Sequence, residues 1–559
     1  MADVTAGAAP AGTKRASMRT VVAASAAGTA FEWYDFFVFG SLTSIIGKNF
    51  FSGLDATAGL LAALALFGAG FFFRPVGALI FGGLGDRIGR KAAFLVTVTM
   101  MGGATFAIGL LPTYQQAGPI APLLLILLRI IQGTALGGEY GGAAIYVAEH
   151  ADRHKRGGAT AWVQASAAFG LVGALAAILA TQTVMGDKAF SEATWTGGWR
   201  VPFLLSAGLL AISIWMRLKL SESPAFKALK DAGGETKAPY SEAFGQWKNL
   251  KLVLIVLIAF MSAQGAAWYT LFFYAEQVFL EQFLKLDSAT GRFLLIAITI
   301  ISAPFYVVFA ALSDRVGRKW VMWGGMTLFL VFLYPGFRLM TELANPALAE
   351  AQSRTPVVVV ADPARCSFQF DITGKTAFAT SCDLAKSSLS NAGISYRNEA
   401  APAGAVAEVR IGTAATVPSL EATGMDAAHL KAAKTALGGQ LKAALVKAGY
   451  PAKADPARVN FLGLLAVLSV FVIACTALFG PMAACLVETF PTRVRYTAMS
   501  LPYHIGTGWV GGFVPFMAFA IVTATGNIYA GLWYPAIFTG VSVLTLPFLL
   551  KETSGKVLD

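Results

Sequence analysis

The sequence predicts an all-α membrane protein of twelve transmembrane helices in two six-helix bundles, with a small α+β extracytoplasmic insertion between helices 9 and 10. Three observations predict it. The 559 residues are 56% hydrophobic and only 13% charged, at a mean hydropathy of +0.63, whereas soluble chains carry about 25% charge. Apolar runs able to cross about 30 Å of hydrocarbon, about 20 residues each, recur along the chain. One charged turn also occurs twice, each time after such a run: Gly85-Asp86-Arg87-Ile88-Gly89-Arg90-Lys91 and Ser313-Asp314-Arg315-Val316-Gly317-Arg318-Lys319. Two copies at matching places mark a duplicated membrane unit, and parallel repeats are characteristic of rocking carriers.

The apolar runs place spans 1–6 near 20–46, 58–84, 92–112, 121–148, 158–184 and 199–219, so that 1–219 forms the first bundle. A polar stretch, 220–249, links the halves. Spans 7–9 lie near 250–280, 289–312 and 320–341, within 250–341. Spans 10–12 lie near 460–488, 496–524 and 529–550, within 458–559, which closes on a short tail. The 58 glycines suit such a bundle, because small residues let membrane helices approach closely.

Charge orients the bundle. Basic residues gather at Lys14/Arg15/Arg19, Arg87/Arg90/Lys91, Arg153/Lys155/Arg156, Arg217 to Lys251, Arg315/Arg318/Lys319, Arg493/Arg495 and Lys551/Lys556. The intervening short loops hold little beyond Lys48, Lys188 and Lys285. This asymmetry predicts that both termini and both repeated turns are cytoplasmic. It also accounts for the net charge of +12 without nucleic acid as a partner. The basic start followed by an apolar run at Val21–Ala30 has the look of a secretory signal. The run continues through Glu32 and Asp35 to Ile46, however, and reads as an uncleaved first helix.

Segment 342–457 is too long and too polar for an ordinary connection. Val357–Val360 reads as a strand. Cys366–Phe370 and Ala377–Ala379, flanking Thr373-Gly374-Lys375, read as a hairpin. Residues 426–448 read as an amphipathic helix with Leu430, Leu437, Leu441 and Leu445 on one side. The topology puts this segment outside, where Cys366 and Cys382 are expected to form a disulfide rather than remain two unrelated thiols. Cys475 and Cys485, in span 10, read as small apolar residues.

Ionisable residues at bilayer depth are costly and are therefore functional candidates. Glu32 and Asp35 lie three apart on span 1. Two close carboxylates in low dielectric cannot both ionise cheaply, which suits a proton-coupling pair; the alternative is a permanently paired structural cluster. Arg74 lies roughly 16 Å along the helix from the end of span 2 and offers a planar fork to a substrate carboxylate or to an acid of span 1. Pro75 beside it can break the helix locally.

On span 4, Gly133, Gly137 and Gly141 form a smooth stripe with Arg129 one turn above it. Gln132 and Glu139 share another face, Glu139 being either a second proton site or an interhelical link. Tyr34, Gln264, Trp268, Tyr269, Tyr503 and His504 are candidates to line the substrate cavity with Arg74, Arg129 and Gln132; aromatic stripes are also ordinary packing. Glycines after His504 suggest a bendable helix. Asp86 reads as sitting at the N-terminus of span 3. Arg87 and Arg90 are expected to reach Glu149, and Arg315 and Arg318, beside Asp314, to reach Glu488. These pairs would latch the cytoplasmic side. No spacing of His, Cys, Asp or Glu suggests a metal, and no Ser-His-Asp set suggests an enzyme.

The paired Gly-Asp-Arg-x-Gly-Arg-Lys turns and the Arg129 helix resemble the major facilitator superfamily. Phe31-Glu32-Trp33-Tyr34-Asp35-Phe36, Arg74-Pro75, Gln132-Gly133 through Glu139, and Glu488-Thr489-Phe490-Pro491-Thr492-Arg493-Val494-Arg495-Tyr496 resemble its metabolite:proton symporter family. The resemblance covers all twelve spans. It implies a multi-pass protein of the bacterial inner membrane that imports a small metabolite with protons, needing no cofactor beyond the proton gradient. Members of that family carry α-ketoglutarate, citrate, shikimate, dicarboxylates, or the osmolytes proline and betaine. The expectation is symport of a small organic anion; the alternatives are symport of a zwitterionic osmolyte, or a solute sensor whose 342–457 segment meets an unassigned partner. Two departures stand out. The external segment exceeds the family's usual loop, and the chain stops soon after Lys551 without the heptad tail of osmosensing members. A drug exporter is disfavoured because span 5 lacks the Gly-Pro antiporter motif.

Overall fold

The computed structural model describes residues 18–52, 66, 70–219, 222–234, 236–368 and 378–558. Among them, ten helices are long and apolar enough to cross a membrane. They are span 3 (Arg90–Gly109), span 4 (Ile120–His150), span 5 (Arg156–Ser191), span 6 (Arg200–Leu218), span 7 (Trp247–Phe283), span 8 (Ser288–Val316), span 9 (Arg318–Ala344), span 10 (Phe461–Thr489), span 11 (Arg495–Thr525) and span 12 (Ala530–Leu549). Helices Met18–Ser41 and Arg74–Ile88 occupy the places of spans 1 and 2. Much of the segment ahead of Arg74 lies outside the described residues, as do Lys14 and Arg15.

The halves meet along two long seams. Span 5 packs on span 8, and span 2 packs on span 11. Close approach is built from glycine. A side chain at Gly133 would strike the backbone of Gly70, and one at Gly137 would strike the backbone of Arg74, so spans 2 and 4 touch main chain to main chain. The repeated turns each pivot on a glycine in the left-handed region, Gly89 at φ 117° and Gly317 at φ 110°, a conformation that a β-carbon penalises.

The insertion is a small α+β unit. Strands β1 (Val357–Ala361), β2 (Tyr396–Ala400), β3 (Glu408–Ile411) and β4 (Ala415–Pro418) form one sheet in the order β2-β1-β3-β4. β1 and β2 are parallel and joined through helix Ser381–Asn391, while β3 is antiparallel to both β1 and β4. Strand β1 alternates, with Val357, Val359 and Ala361 buried. Helix Ala427–Lys447 buries Leu437, Leu441 and Leu445, and Asp426 caps its first turn. The expected hairpin turn at Thr373-Gly374-Lys375 lies outside the described residues; its described flanks, Cys366–Phe368 and Phe378–Ala379, carry no strand.

The insertion rests on the second half. Tyr396 N–H donates to Gly526 O at 2.7 Å and Lys386 Nζ to Ala524 O at 3.2 Å, both at the end of span 11. Asn345 Nδ2 donates to Leu284 O at 2.9 Å, at the end of span 7. Cys366 and Cys382 are joined with their α-carbons 5.2 Å apart. Closing a loop of this length removes about 3 kcal/mol of unfolded-state freedom. Cys366→Ser is therefore expected to expose 342–457 to limited proteolysis at a lower temperature, while cleavage within the spans stays unchanged.

Candidate functional site

Two constellations stand out: a buried charge cluster at mid-bundle, and a bolt across the end that bears the repeated turns.

The central cluster is assembled by spans 1, 2, 3, 4 and 6. Asp35 accepts from Gln132 Nε2 at 3.0 and 3.2 Å, and Gln132 also donates to Thr105 Oγ1 at 2.8 Å. Gln132 Oε1 accepts from Arg129 at 3.0 Å, and the Arg129 guanidinium lies 3.9 Å from the Phe39 ring centroid. Gln132 thus belongs with Arg129 and not with Glu139, because the long guanidinium stem bridges one helical turn. Glu139 makes the interhelical link instead: it pairs with Arg217 of span 6 and accepts from Thr97 at 3.0 Å. Arg217, counted in the sequence among the cytoplasmic basic residues, is 1% exposed and lies 3.6 Å from the Phe94 ring centroid.

Glu32 is buried, and its Oε2 has no hydrogen-bond partner among the described residues. Its charged surroundings are Glu139, Arg74, Arg217 and Asp35. Arg74 is 7% exposed, begins its helix beside Pro75, and lies 4.5 Å from the Phe71 centroid and 5.8 Å from the Phe36 centroid. Tyr269 of span 7 lies beside it, edge-on to the same Phe71 ring. Arg74 and Glu32 thus sit against an aromatic wall: Trp33 and Trp268 at 5.1 Å, Phe36 and Phe273 at 5.7 Å, and Phe71 and Tyr269 at 5.4 Å.

The other candidates divide. Trp268 donates to the Tyr306 hydroxyl at 3.2 Å, Tyr503 stacks on Tyr140 at 3.9 Å, and His504 lies edge-on to Tyr503 and against Gly137. Gln264 is buried with Oε1 unpartnered among the described residues. Tyr34 turns away from the cluster: its hydroxyl donates to Pro202 O of span 6 at 2.7 Å, so it serves packing within the first half. Sequence spacing put it one residue from Asp35 without showing that the helix turns its hydroxyl toward span 6.

At the turn end, several expected pairings change. Asp86 does not cap the backbone of span 3. It accepts the backbone N–H groups of Tyr496 at 3.2 Å and Thr497 at 2.8 Å, at the N-terminus of span 11, together with Arg90 at 2.8 Å. Arg90 donates onward to Thr492 O at 2.7 Å and does not reach Glu149; Arg87 is exposed. Glu149 instead binds Arg495 at 2.6 Å and Ser223 at 2.5 Å. The second half mirrors this. Asp314 accepts from Gly157 and Gly158 N–H at 2.9 Å each, at the N-terminus of span 5, and pairs with Arg318 at 2.6 Å. Glu488 holds Arg318 at 3.2 Å and Arg156 at 3.5 Å, whereas Arg315 is exposed. The first helical turn exposes unbonded N–H groups with partial positive charge, which explains why both aspartates reach across to a helix start.

A second repeat completes the bolt and escaped the sequence reading. Glu222, after span 6, accepts from the N–H groups of Arg90 at 3.1 Å and Lys91 at 3.3 Å; Glu552, after span 12, accepts from Arg318 at 2.9 Å and Lys319 at 3.2 Å. The residue after each binds the acid of the neighbouring latch, Ser223 to Glu149 and Thr553 to Glu488 at 2.9 Å. The signal was Glu222-Ser223 and Glu552-Thr553 at matching places after spans 6 and 12.

Duplicated halves, main-chain seams, a charged bolt at one end and a buried cluster between them are the architecture of the major facilitator fold. The chain belongs to the sugar (and other) transporter family, whose model matches residues 20–238 and 394–559. It is 36% identical over 336 residues to the glycine betaine/proline/ectoine/pipecolic acid transporter OusA of Dickeya dadantii, and 34% identical over 336 residues to the proline/betaine transporter of Escherichia coli K12. In both cases the match covers 58% of this chain, which spans 65% of the relative's length. Among solved structures, the proton:xylose symporter XylE aligns at a TM-score of 0.63 over 97% of each chain, with 14% identity, a likeness of fold.

Proposed function

We propose that this transporter is a proton symporter of the bacterial inner membrane, with both termini and the bolted end in the cytoplasm, importing a zwitterionic osmolyte of the proline or betaine kind. The observation that carries this reading is the pairing of one buried guanidinium with an aromatic wall and an acid. A carboxylate fits the Arg74 fork, and an ammonium or quaternary nitrogen fits the faces of Trp33 and Trp268. Glu32, with one oxygen free of hydrogen bonds among the described residues, is the proton carrier in this scheme, and Asp35 is held by Gln132. The names of the relatives point the same way. Import of a di- or tricarboxylate, the reading favoured by charge alone, would need a second free cation. Arg129 is engaged by Gln132 and stacked on Phe39.

Proteoliposomes with an imposed pH gradient test the proposal. Betaine and proline should accumulate, and collapsing the gradient should abolish accumulation; concentration of citrate or α-ketoglutarate in their place would overturn it. Arg74→Lys is expected to weaken osmolyte binding at least tenfold, read by competition in the same assay, because a point charge replaces a bidentate fork.

A further inference from the structure

Span 7 ends in a wide segment, Thr270–Phe283, that meets the start of span 8 and the insertion. Two acids of this segment converge on one point of span 8. A methyl group at Gly291 would lie 2.8 Å from Glu281 Oε1 and 3.5 Å from Glu276 Oε1, so both oxygens sit over a single bare α-carbon. The two carboxyl groups therefore crowd one methyl-sized space beside span 8. Glu281 Oε2 also accepts from Ser288 Oγ at 3.2 Å. Glu276 is 6% exposed, and its Oε2 has no hydrogen-bond partner among the described residues.

Two carboxylates crowded at one buried point repel each other when both are ionised, and a single proton both removes that repulsion and supplies an O–H that the other carboxylate can accept. The charges that reach the pair come from span 8: Arg292, which faces both acids, and Asp287. Asp287 caps the helix by accepting from Thr290 N–H at 2.9 Å, and Lys285 is turned to Asn391 O of the insertion at 3.4 Å. Arg292 supplies one positive charge against the two glutamates, so the second carboxylate lacks a counter-charge until a proton is added.

We propose that Glu276 and Glu281 bind one shared proton, a second protonation site at the insertion end of span 7, separate from Glu32 and Asp35. The proton moves from water to a carboxylate oxygen and forms an O–H that donates to the other carboxylate; no other bond changes. Protonated, the pair fastens span 7 to span 8 over Gly291. Ionised, two anions face each other there and drive the helix ends apart.

The test is infrared spectroscopy of the full chain in lipid nanodiscs, reading the C=O stretch of protonated carboxyl groups at neutral pH. Glu276→Gln and Glu281→Gln should each remove the same band, and the double variant should remove no more than either alone, because the site holds one proton. Glutamine copies the shape of a neutral carboxyl, and Glu281→Asp, which keeps the acid, should move the band without deleting it. Glu32→Gln should leave this band in place, so the result stands apart from the assignment of the central site. No loss in either single variant, a double loss equal to their sum, or replacement of the band by sodium binding would overturn the proposal.

Discussion

Replacing Arg217 with leucine is expected to remove roughly 3–5 kcal/mol of folding stability, the range for a buried ion left without its partner. Both members of the pair are almost fully buried, with side-chain exposures of 1% for Arg217 and 0% for Glu139. Arg217 also donates to Phe94 O at 3.3 Å and covers the Phe94 ring, so the substitution loses packing as well. The double variant Arg217→Leu with Glu139→Gln is expected to recover much of the loss, since removing both charges avoids the uncompensated ion. Thermal unfolding of the purified variants in detergent reads both effects. A single variant that melts with the parent protein would show that water reaches Glu139 and solvates it.

Asp86→Ala is expected to open the turn end, and by more than Asp314→Ala. Asp86 is fully buried, neutralises Arg90 and caps span 11 with two charge-assisted hydrogen bonds across the bundle interface. It is the one ion-pair partner of Arg90 among the described residues, whereas Arg318 keeps Glu488 when Asp314 is lost. Each cross-interface bond to a charged group contributes about 1.5–3 kcal/mol. Losing two shifts the balance toward the opened form by about 3–6 kcal/mol, more than a hundredfold in population. Cysteines placed at Leu79 and Tyr240, where the linker hydroxyl now donates to Leu79 O at 2.9 Å, would report this as faster labelling in the Asp86 variant. Equal labelling of the two aspartate variants would contradict the ranking.

Much of this bolt was legible in advance as a list of charged residues, and much of its wiring was not. The repeated turns gave Asp86, Arg90, Asp314 and Arg318, and the ends of spans 4 and 10 gave Glu149 and Glu488. Pairing them by nearness along the chain sent Arg90 to Glu149. The structure gives Glu149 to Arg495 because span 11 crosses span 2 and brings its first turn between them. The same crossing explains why Asp86 caps a helix of the other half. Arg217 was misread for a related reason: at the end of a span, a basic residue obeys the positive-inside pattern whether it faces lipid headgroups or turns inward to an acid.

What the sequence determined by itself was the membrane class, the duplication, the order of the spans and the presence of a small α+β insertion. Those follow from hydropathy, repeat spacing and local periodicity, which are properties of contiguous residues. Only the tertiary structure decided which charges neutralise which, that Tyr34 packs while Glu32 keeps an oxygen unpartnered among the described residues, and that Glu276 and Glu281 meet over Gly291. A long charged side chain reaches several neighbouring helices, and burial in low dielectric makes the choice of partner decisive. That choice is set by how helices distant in sequence cross, which no local pattern records.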